Sequence, residues 1–165
     1  MVIEADSKNV NVLLDEARED LRALLLRSNT TFLIGNGGSN AVCSHVAVDY
    51  CKFLHVKART FNEPSMLTCI ANDYGYDQVF SKQLEWQARP NDTLIIVSSS
   101  GESANVLRAA RFALEGGIHL VTCSGFKPEN ALRRLGGNIN FYSPSAKYQE
   151  VEISHLRLLH SLVDV

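Results

Sequence analysis

The apolar residues of this chain change their spacing several times along the sequence, from short continuous runs to a helical period and back. The continuous runs predict β-strands, which lie at residues 31–35, 56–61, 93–97, 118–122 and 139–142. Helical spacing fills the stretches between and around these runs. The predicted helices cover an amphipathic N-terminal segment at about 8–28 and then residues 39–53, 63–70, 77–87, 103–115 and about 146–165.

Regular alternation of strands and helices favours parallel strand pairing, because each crossover carries a helix onto a face of the sheet. The sequence therefore predicts a three-layer α/β/α sandwich, formed by residues 1–165 as a single domain. In such a sheet a ligand binds outside the carboxyl ends of the strands. Residues that follow the predicted strands are therefore the first candidates for a binding site.

The composition argues against several classes of function. The chain has 165 residues, of which 45% are apolar and 21% are charged, and its formal net charge is -2. It has no basic excess that could neutralise a nucleic-acid backbone, and its apolar runs are too short to cross a membrane. We therefore expect neither a nucleic-acid partner nor a membrane partner.

The cysteines and the first residues indicate a reducing compartment. No two of the 4 cysteines form a Cys-x-x-Cys pair; they are Cys43, Cys51, Cys69 and Cys123. The opening residues are acidic and polar, unlike a secretory signal peptide. We therefore expect reduced thiols and a cytoplasmic protein.

Two loops rich in small residues follow the first and the third predicted strand. They are residues 35–39, Gly-Asn-Gly-Gly-Ser, and residues 98–103, Ser-Ser-Ser-Gly-Glu-Ser. Small residues at a strand-to-helix turn let the backbone approach an anion, and the helix dipole favours negative charge there. The hydroxyl groups of the second loop can donate hydrogen bonds to phosphate oxygens. Together the two loops predict a phosphorylated ligand.

Neither loop has the pattern of a nucleotide site or of a serine hydrolase. The first loop lacks the third glycine of the dinucleotide fingerprint, and no Gly-Lys-Ser/Thr of a Walker A loop follows it. Ser100 does not stand in a Gly-x-Ser-x-Gly turn. We therefore expect no nucleotide cofactor.

With two further segments, these loops resemble the sugar isomerase (SIS) domain family. The segments are Asn72-Asp73-Tyr74-Gly75-Tyr76 with Phe80, and residues 151–160, Val-Glu-Ile-Ser-His-Leu-Arg-Leu-Leu-His. Within the family the chain is most similar to the sedoheptulose-7-phosphate isomerases, also called phosphoheptose isomerases, over most of its length from about Thr31 onward. The resemblance implies a five-stranded parallel sheet between helices, of the flavodoxin-like or Rossmann-like kind. It also implies a homo-oligomer, a tetramer or a dimer, with active sites at subunit interfaces.

The resemblance implies an aldose–ketose isomerase that acts on a phosphosugar. The family's reaction converts sedoheptulose 7-phosphate into glycero-manno-heptose 7-phosphate through an enediol, for lipopolysaccharide or capsule heptose. In the match to the family, serines would hold the phosphate, and Asn36 and Asp73 would contact sugar hydroxyls. The positions implied to bind substrate are Asn36, Gly37, Ser39, Asp73, Ser98, Ser99, Ser100, Ser103 and Glu152.

Isomerisation needs a base that removes a proton next to a carbonyl and an acid that returns one. Asp49 and His160 match the positions of the family's base, a glutamate, and its histidine partner. Some relatives bind zinc at the positions of His45, Asp49, Glu152 and His160. Two imidazoles and two carboxylates suit one zinc-like ion per site. In a metal-free site, the additional negative charge would instead raise the pKa values of the histidines.

The chain departs from the family's pattern at several of these positions. Asp49 is one methylene shorter than the usual glutamate, and Glu152 replaces a glutamine. Phe53 stands where an arginine holds the far end of the substrate, although Lys52 could reach it. A competing hypothesis is therefore a non-catalytic SIS protein that binds a phosphosugar or a replication initiator as a regulator. An enzyme needs His160 within reach of the Asp49 carboxylate. The distance between these two side chains therefore distinguishes the isomerase from the non-catalytic SIS protein.

Overall fold

The computed structural model describes residues 3–8 and 10–163, in which strands alternate with helices. The strands are β1 (Glu4–Ser7), β2 (Val10–Val12), β3 (Thr31–Gly35), β4 (Ala58–Thr60), β5 (Thr93–Ser98), β6 (His119–Gly125) and β7 (Ile139–Ser143). The helices are α1 (Leu14–Arg27), α2 (Gly38–Phe53), α3 (Pro64–Asp73), α4 (Ser81–Gln87), α5 (Ala104–Glu115), α6 (Ala131–Arg134) and α7 (Tyr148–His160). A short 3-10 helix at Tyr76–Gln78 precedes α4. None of the helices within these residues is long and apolar enough to span a bilayer.

The strands form one seven-stranded sheet in the order β2-β1-β7-β6-β5-β3-β4. The five predicted strands correspond to β3–β7 and pair in parallel, which confirms the expected α/β/α sandwich. The sheet has seven strands instead of five, because β1 and β2 add an antiparallel hairpin beside β7.

The two ends of the chain differ from the prediction. The N-terminal helix begins at Leu14, and residues 10–12, predicted as part of this helix, belong to β2. The last helix ends at His160 and is followed by a turn over residues 161–163. Residues 164–165, predicted as the end of this helix, lie outside the described residues.

The strand order reverses direction between β3 and β5. From β3 the chain moves to β4 at one edge of the sheet, then crosses back to β5 and continues outward through β6 and β7. The crossovers on either side of this point leave a crevice at the carboxyl ends of β3 and β5, where ligands of doubly wound sheets bind. This crevice receives both glycine- and serine-rich loops.

Two apolar cores lie on opposite faces of the sheet. One face of the strands, with Leu33, Ile95 and Val121, packs against α1, α2 and α7. The other face, with Ile34, Ile96 and other apolar residues, packs against α3–α6. The strands are therefore apolar on both faces, which is why they appear in the sequence as continuous runs.

A buried ionic network attaches the N-terminal hairpin to the sheet. Asp6 is 2% exposed; its Oδ2 accepts a hydrogen bond from Arg133 Nε at 2.9 Å, and its Oδ1 accepts one from Asn140 Nδ2 at 2.8 Å. Glu4 lies on the same strand, 3.6 Å from the Arg133 guanidinium, but its side chain is 53% exposed. Because these contacts link residues far apart in the sequence, the local pattern of β1 does not reveal the strand.

A buried histidine packs α7 against the sheet. His155 is fully buried, and its Nε2 lies 3.0 Å from the carbonyl oxygen of Ser124 at the end of β6. Because the carbonyl oxygen only accepts, Nε2 carries the proton and donates it. Burial lowers the pKa of His155 to about 4, so its ring is neutral at pH 7.

We expect Asp6→Ala to lower the free energy of unfolding by about 3 kcal/mol, because it leaves the Arg133 charge partly buried without its partner. Glu4→Ala is the matched control on the same strand, and its exposed ion pair should contribute less than about 1 kcal/mol. Urea denaturation monitored by circular dichroism measures both values. Equal losses in the two variants would show that the Asp6 network does not anchor the hairpin.

We expect the stability of the protein to fall as the pH is lowered from 7 to 5, in part because of His155. The unfolded chain binds this proton with an ordinary pKa of about 6.5, above the folded value, so protonation favours unfolding. The stabilisation is complete above pH 6.5 and decreases towards pH 4, which removes about 2 kcal/mol between pH 7 and pH 5. Urea titrations at several pH values should give a flatter profile for His155→Gln than for the wild-type protein. His119→Gln is the control, and an equal slope in all three proteins would contradict the assignment.

Candidate active site

The Gly loop, residues 35–39, and the Ser loop, residues 98–103, lie side by side because they follow neighbouring parallel strands. Gly35, the last residue of β3, pairs in register with Val97 of β5. A Cβ atom at Gly35 would lie 2.7 Å from the carbonyl oxygen of Val97 and 2.9 Å from the carbonyl carbon of Ser39. Glycine is therefore required for the two loops to meet this closely.

The Ser loop presents hydroxyl groups that keep their protons available. Ser98 Oγ accepts a hydrogen bond from the Gly101 N–H at 3.2 Å, and Ser100 Oγ accepts one from the Glu102 N–H at 3.3 Å. A hydroxyl that accepts a backbone N–H can still donate its own proton. Ser99 Oγ is buried and makes no hydrogen bond to any described residue. Ser103 is the N-cap of α5, and its side chain makes no capping bond.

The Ser loop is held in place by the start of α6. The backbone N–H of Leu132 donates to the Gly101 carbonyl at 2.9 Å, and the Ala131 N–H donates to Glu102 Oε1 at 2.9 Å. Gly101 has a φ of 65° and packs against the buried side chain of Asn130. These contacts attach Gly101 and Glu102, in the second half of the Ser loop, to the start of α6.

Asn36 connects the Gly loop to two other segments. Its side-chain amide exchanges two hydrogen bonds of 2.9 Å with the amide of Asn105, in the first turn of α5. The Tyr76 hydroxyl donates to Asn36 Oδ1 at 3.3 Å, which brings the segment of Asp73 to the same place. Asp73 itself is exposed at the end of α3, where Asn72 Nδ2 donates to its Oδ1 at 2.8 Å. The structure thus joins Asn36 to α5 and to the segment after α3, while the partners that it shows for Asp73 lie on its own helix.

The N-terminus of α2 lies at the Gly loop and is flanked by Glu152. Gly37 is the N-cap with a φ of 55°, and Ser39 in the first turn is buried. A Cβ atom at Gly38 would lie 2.5–2.7 Å from the carboxyl group of Glu152, so this carboxylate rests directly on the glycine. Because the first turn of α2 holds no acidic residue, Glu152 supplies the negative charge that a helix N-terminus favours.

Three predicted catalytic or metal-binding residues converge between α2 and α7. His45 Nε2 lies 2.7 Å from His160 Nε2, and Asp49 Oδ2 lies 3.4 Å from His160 Nε2 and 3.7 Å from His45 Nε2. His45 and Asp49 are one helical turn apart on α2, and His160 ends α7. Asp49 Oδ2 is buried and makes no hydrogen bond to any described residue. These three groups could hold one metal ion, and Glu152 does not belong to this set.

Tyr50 holds α7 against α2 at the level of this cluster. Its buried hydroxyl donates to the carbonyl oxygen of Leu159 at 3.1 Å, which satisfies one of the free carbonyls at the end of α7. Burial raises the pKa of the Tyr50 hydroxyl, which therefore stays protonated and able to donate. The bond fixes the residue that precedes His160 and so limits how far its ring can move.

Three other residues considered in the sequence analysis, Cys43, Lys52 and Phe53, are not part of the cluster of His45, Asp49 and His160. Phe53 is exposed at the end of α2, and the Lys52 ammonium lies 4.7 Å from the centre of its ring. Cys43 lies on the buried face of α2, and burial raises the pKa of its thiol, so a reactive thiolate is disfavoured. Two residues of the site, Asn105 and Tyr76, are not among the predicted contacts. The signal for Asn105 is an amide on the otherwise apolar buried face of α5.

A family profile and individual relatives of known sequence agree on the family of this chain. The profile of the SIS domain matches residues 8–125 of the chain. The phosphoheptose isomerase of Mycobacterium tuberculosis is 36% identical, in an alignment that covers 93% of this chain and 82% of that protein. The phosphoheptose isomerase of Colwellia psychrerythraea is 35% identical over 86% of this chain and 76% of its own length.

A solved structure agrees with the sequence relatives. The phosphoheptose isomerase of Neisseria gonorrhoeae superimposes with a TM-score of 0.85 at 30% identity, and the match covers 92% of this chain and 86% of that one. The likeness therefore extends over most of the length of both chains.

Proposed function

Because the chain belongs to the phosphoheptose isomerases of the SIS domain family, we propose that it converts sedoheptulose 7-phosphate into glycero-manno-heptose 7-phosphate. The observation that carries the proposal is the distance of 3.4 Å between Asp49 Oδ2 and His160 Nε2. A non-catalytic regulator does not require this approach. The identity of the relatives likewise favours the isomerase over the regulator.

The proposed reaction is a proton transfer through an enediol. A base removes a proton from C1 of the ketose, and a proton is returned to C2, while O2 gains a proton and O1 loses one. We assign the transfer at carbon to the Asp49 carboxylate and the transfer between the oxygens to the His160 imidazole. His45, at 2.7 Å from His160, orients this ring. The one-methylene shortening of Asp49 is compatible with this role, since its Oδ2 already lies beside both rings.

The Ser loop would hold the phosphate of the substrate. Ser98, Ser99, Ser100 and Ser103 offer hydroxyl donors at the N-terminus of α5, where the helix dipole favours an anion. Ser39 of the neighbouring Gly loop would add a further hydroxyl. Neutral donors bind a phosphate without a cation, which fits the absence of Lys and Arg from residues 98–103 and 35–39.

A zinc ion would be held by His45, Asp49 and His160. The fit rests on the convergence of two imidazole nitrogens and one carboxylate oxygen that lacks a hydrogen bond among the described residues. When bound, zinc would polarise the carbonyl of the substrate as a Lewis acid. Glu152 would complete the set only if its carboxylate left Gly38.

We further propose that residues 1–165 act as a single SIS domain within a cytoplasmic homo-oligomer. The side chain of His45 is 56% exposed, and the apolar side chains of Val48 and Ile153 are exposed on α2 and α7. A dimer or tetramer that covers this face would exclude water from the reacting atoms.

We expect Asp49→Asn and His160→Gln each to lower kcat for sedoheptulose 7-phosphate by at least about a hundredfold, because each removes a proton-transfer group. Both changes preserve the size of the side chain approximately, so the fold should survive. Turnover is followed by detection of the aldose product. The controls are Asp20→Asn, on the exposed face of α1, and His119→Gln. Both should convert sedoheptulose 7-phosphate with the kcat of the wild type. Unchanged turnover in Asp49→Asn would refute the assignment of the base.

We expect zinc to bind with a stoichiometry of one ion per chain, and His45→Ala to weaken the affinity by at least about tenfold, because one of three ligands is lost. Isothermal titration of the chelator-treated protein with zinc chloride measures both. His119→Ala is the control and should bind like the wild type. Binding of equal strength in His45→Ala and the wild type would exclude this cluster as the metal site.

A further inference from the structure

The amides of Asn36 and Asn105 form a closed pair that joins the Gly loop to α5. Each Nδ2 donates to the Oδ1 of the other residue at 2.9 Å. Taken alone, such a pair has no preferred direction, since turning both amides over would restore the same two bonds. Its orientation must therefore be decided by a third group.

The backbone of α5 decides the orientation of the pair. Asn105 Oδ1 also accepts a hydrogen bond from the Val106 N–H at 2.9 Å. This N–H lies in the first turn of α5, where backbone donors have no partner within the helix. If the Asn105 amide were turned over, its NH₂ group would face this N–H, and both donors would lose an acceptor. Asn105 is 2% exposed, so water cannot easily replace the lost bond.

The orientation of the Asn105 amide fixes that of the Asn36 amide. It therefore determines whether Asn36 presents a hydrogen-bond donor or an acceptor to a ligand. Asn36 Oδ1 accepts from Asn105 Nδ2 and from the Tyr76 hydroxyl, so both of its lone pairs are used. One proton of Asn36 Nδ2 is bound to Asn105 Oδ1. Among the described residues no acceptor takes the second proton of Nδ2, which is the remaining hydrogen-bonding group of this side chain.

We propose that Asn105 is a positioning residue that holds Asn36 as a hydrogen-bond donor towards an acceptor oxygen of the phosphosugar. The inference rests on the proposed function and refines it, because Asn36 then recognises an oxygen lone pair and not a donating hydroxyl. The oxygen belongs either to the phosphate or to the sugar chain, and both present the same acceptor chemistry. Asn105 itself does not touch the ligand.

A double-mutant cycle tests this assignment, because a residue that acts only through Asn36 has no effect once Asn36 is gone. The proteins are the wild type, Asn36→Ser, Asn105→Ser and the double variant, assayed for kcat/KM with sedoheptulose 7-phosphate. We expect each single variant to lose about tenfold to a hundredfold, and the double variant to be no worse than Asn36→Ser. Losses that multiply in the double variant, or an unaffected Asn105→Ser, would overturn the proposal.

Asn140→Ser controls for a loss of stability. Asn140 is also a fully buried amide with several hydrogen bonds, but it lies in the network of Asp6 on β1. We expect this variant to unfold at a lower temperature while kcat/KM per folded protein stays at the wild-type value. A loss of kcat/KM in Asn140→Ser as large as that in Asn105→Ser would assign Asn105 a structural role only.

Calorimetric titration of the same proteins separates this proposal from the proposed function. Sedoheptulose 7-phosphate and inorganic phosphate are the two probes. Weaker binding of both by Asn105→Ser identifies a phosphate oxygen as the acceptor, and weaker binding of the sugar phosphate alone identifies a sugar oxygen. If the wild-type protein binds sedoheptulose 7-phosphate without converting it, the proposed function is contradicted. The double-mutant cycle is then evaluated from the Kd values of the four proteins instead of from kcat/KM. A wild-type protein that binds neither probe overturns both proposals.

Discussion

The close approach of β3 and β5 at their carboxyl ends is the constraint on which the site depends. The two strands pair in parallel up to Gly35 and Val97, and any side chain at Gly35 would collide with the Val97 carbonyl oxygen on β5 and with the backbone of Ser39 in the Gly loop. Because parallel strands end on the same edge of the sheet, the Gly loop and the Ser loop leave it together. The reversal of strand order at this point keeps helices out of the space above them. The two loops and the N-termini of α2 and α5 therefore lie at one edge of the sheet.

A second pair of elements positions the groups assigned to proton transfer. Contacts between α2 and α7 run from Gly38 with Glu152 to His45 with His160, so the two helices lie side by side in the same direction. The Tyr50 hydroxyl fixes their separation at the level of the histidines. Strand pairing thus places the loops proposed to bind the anion, and helix packing on one face of the sheet places the residues proposed as acid and base. The two ends of a phosphosugar would be held by parts of the fold that are built independently.

Much of this arrangement follows from local sequence patterns. The parallel strands are apolar on both faces and therefore read as continuous runs, and the predicted and observed bounds of β3 coincide. The spacing of His45 and Asp49 also predicts that they share a helix face, as they do. The hairpin of β1 and β2 could not be predicted, because Asp6 is buried against Arg133 and Asn140, which lie more than a hundred residues away. The contact of Asn36 with Asn105 depends in the same way on tertiary structure, since no local rule relates a residue of the Gly loop to one on α5.

The sheet ends at both edges in very short strands, β2 with residues 10–12 and β4 with residues 58–60. A long edge with free backbone donors and acceptors is a template that recruits strands from other molecules. Edges of three residues offer too few such groups for a continuous sheet to grow between copies of the chain. An assembly of copies would then form through side chains on the helical layers, and surface substitutions there would change it without altering the register of the sheet.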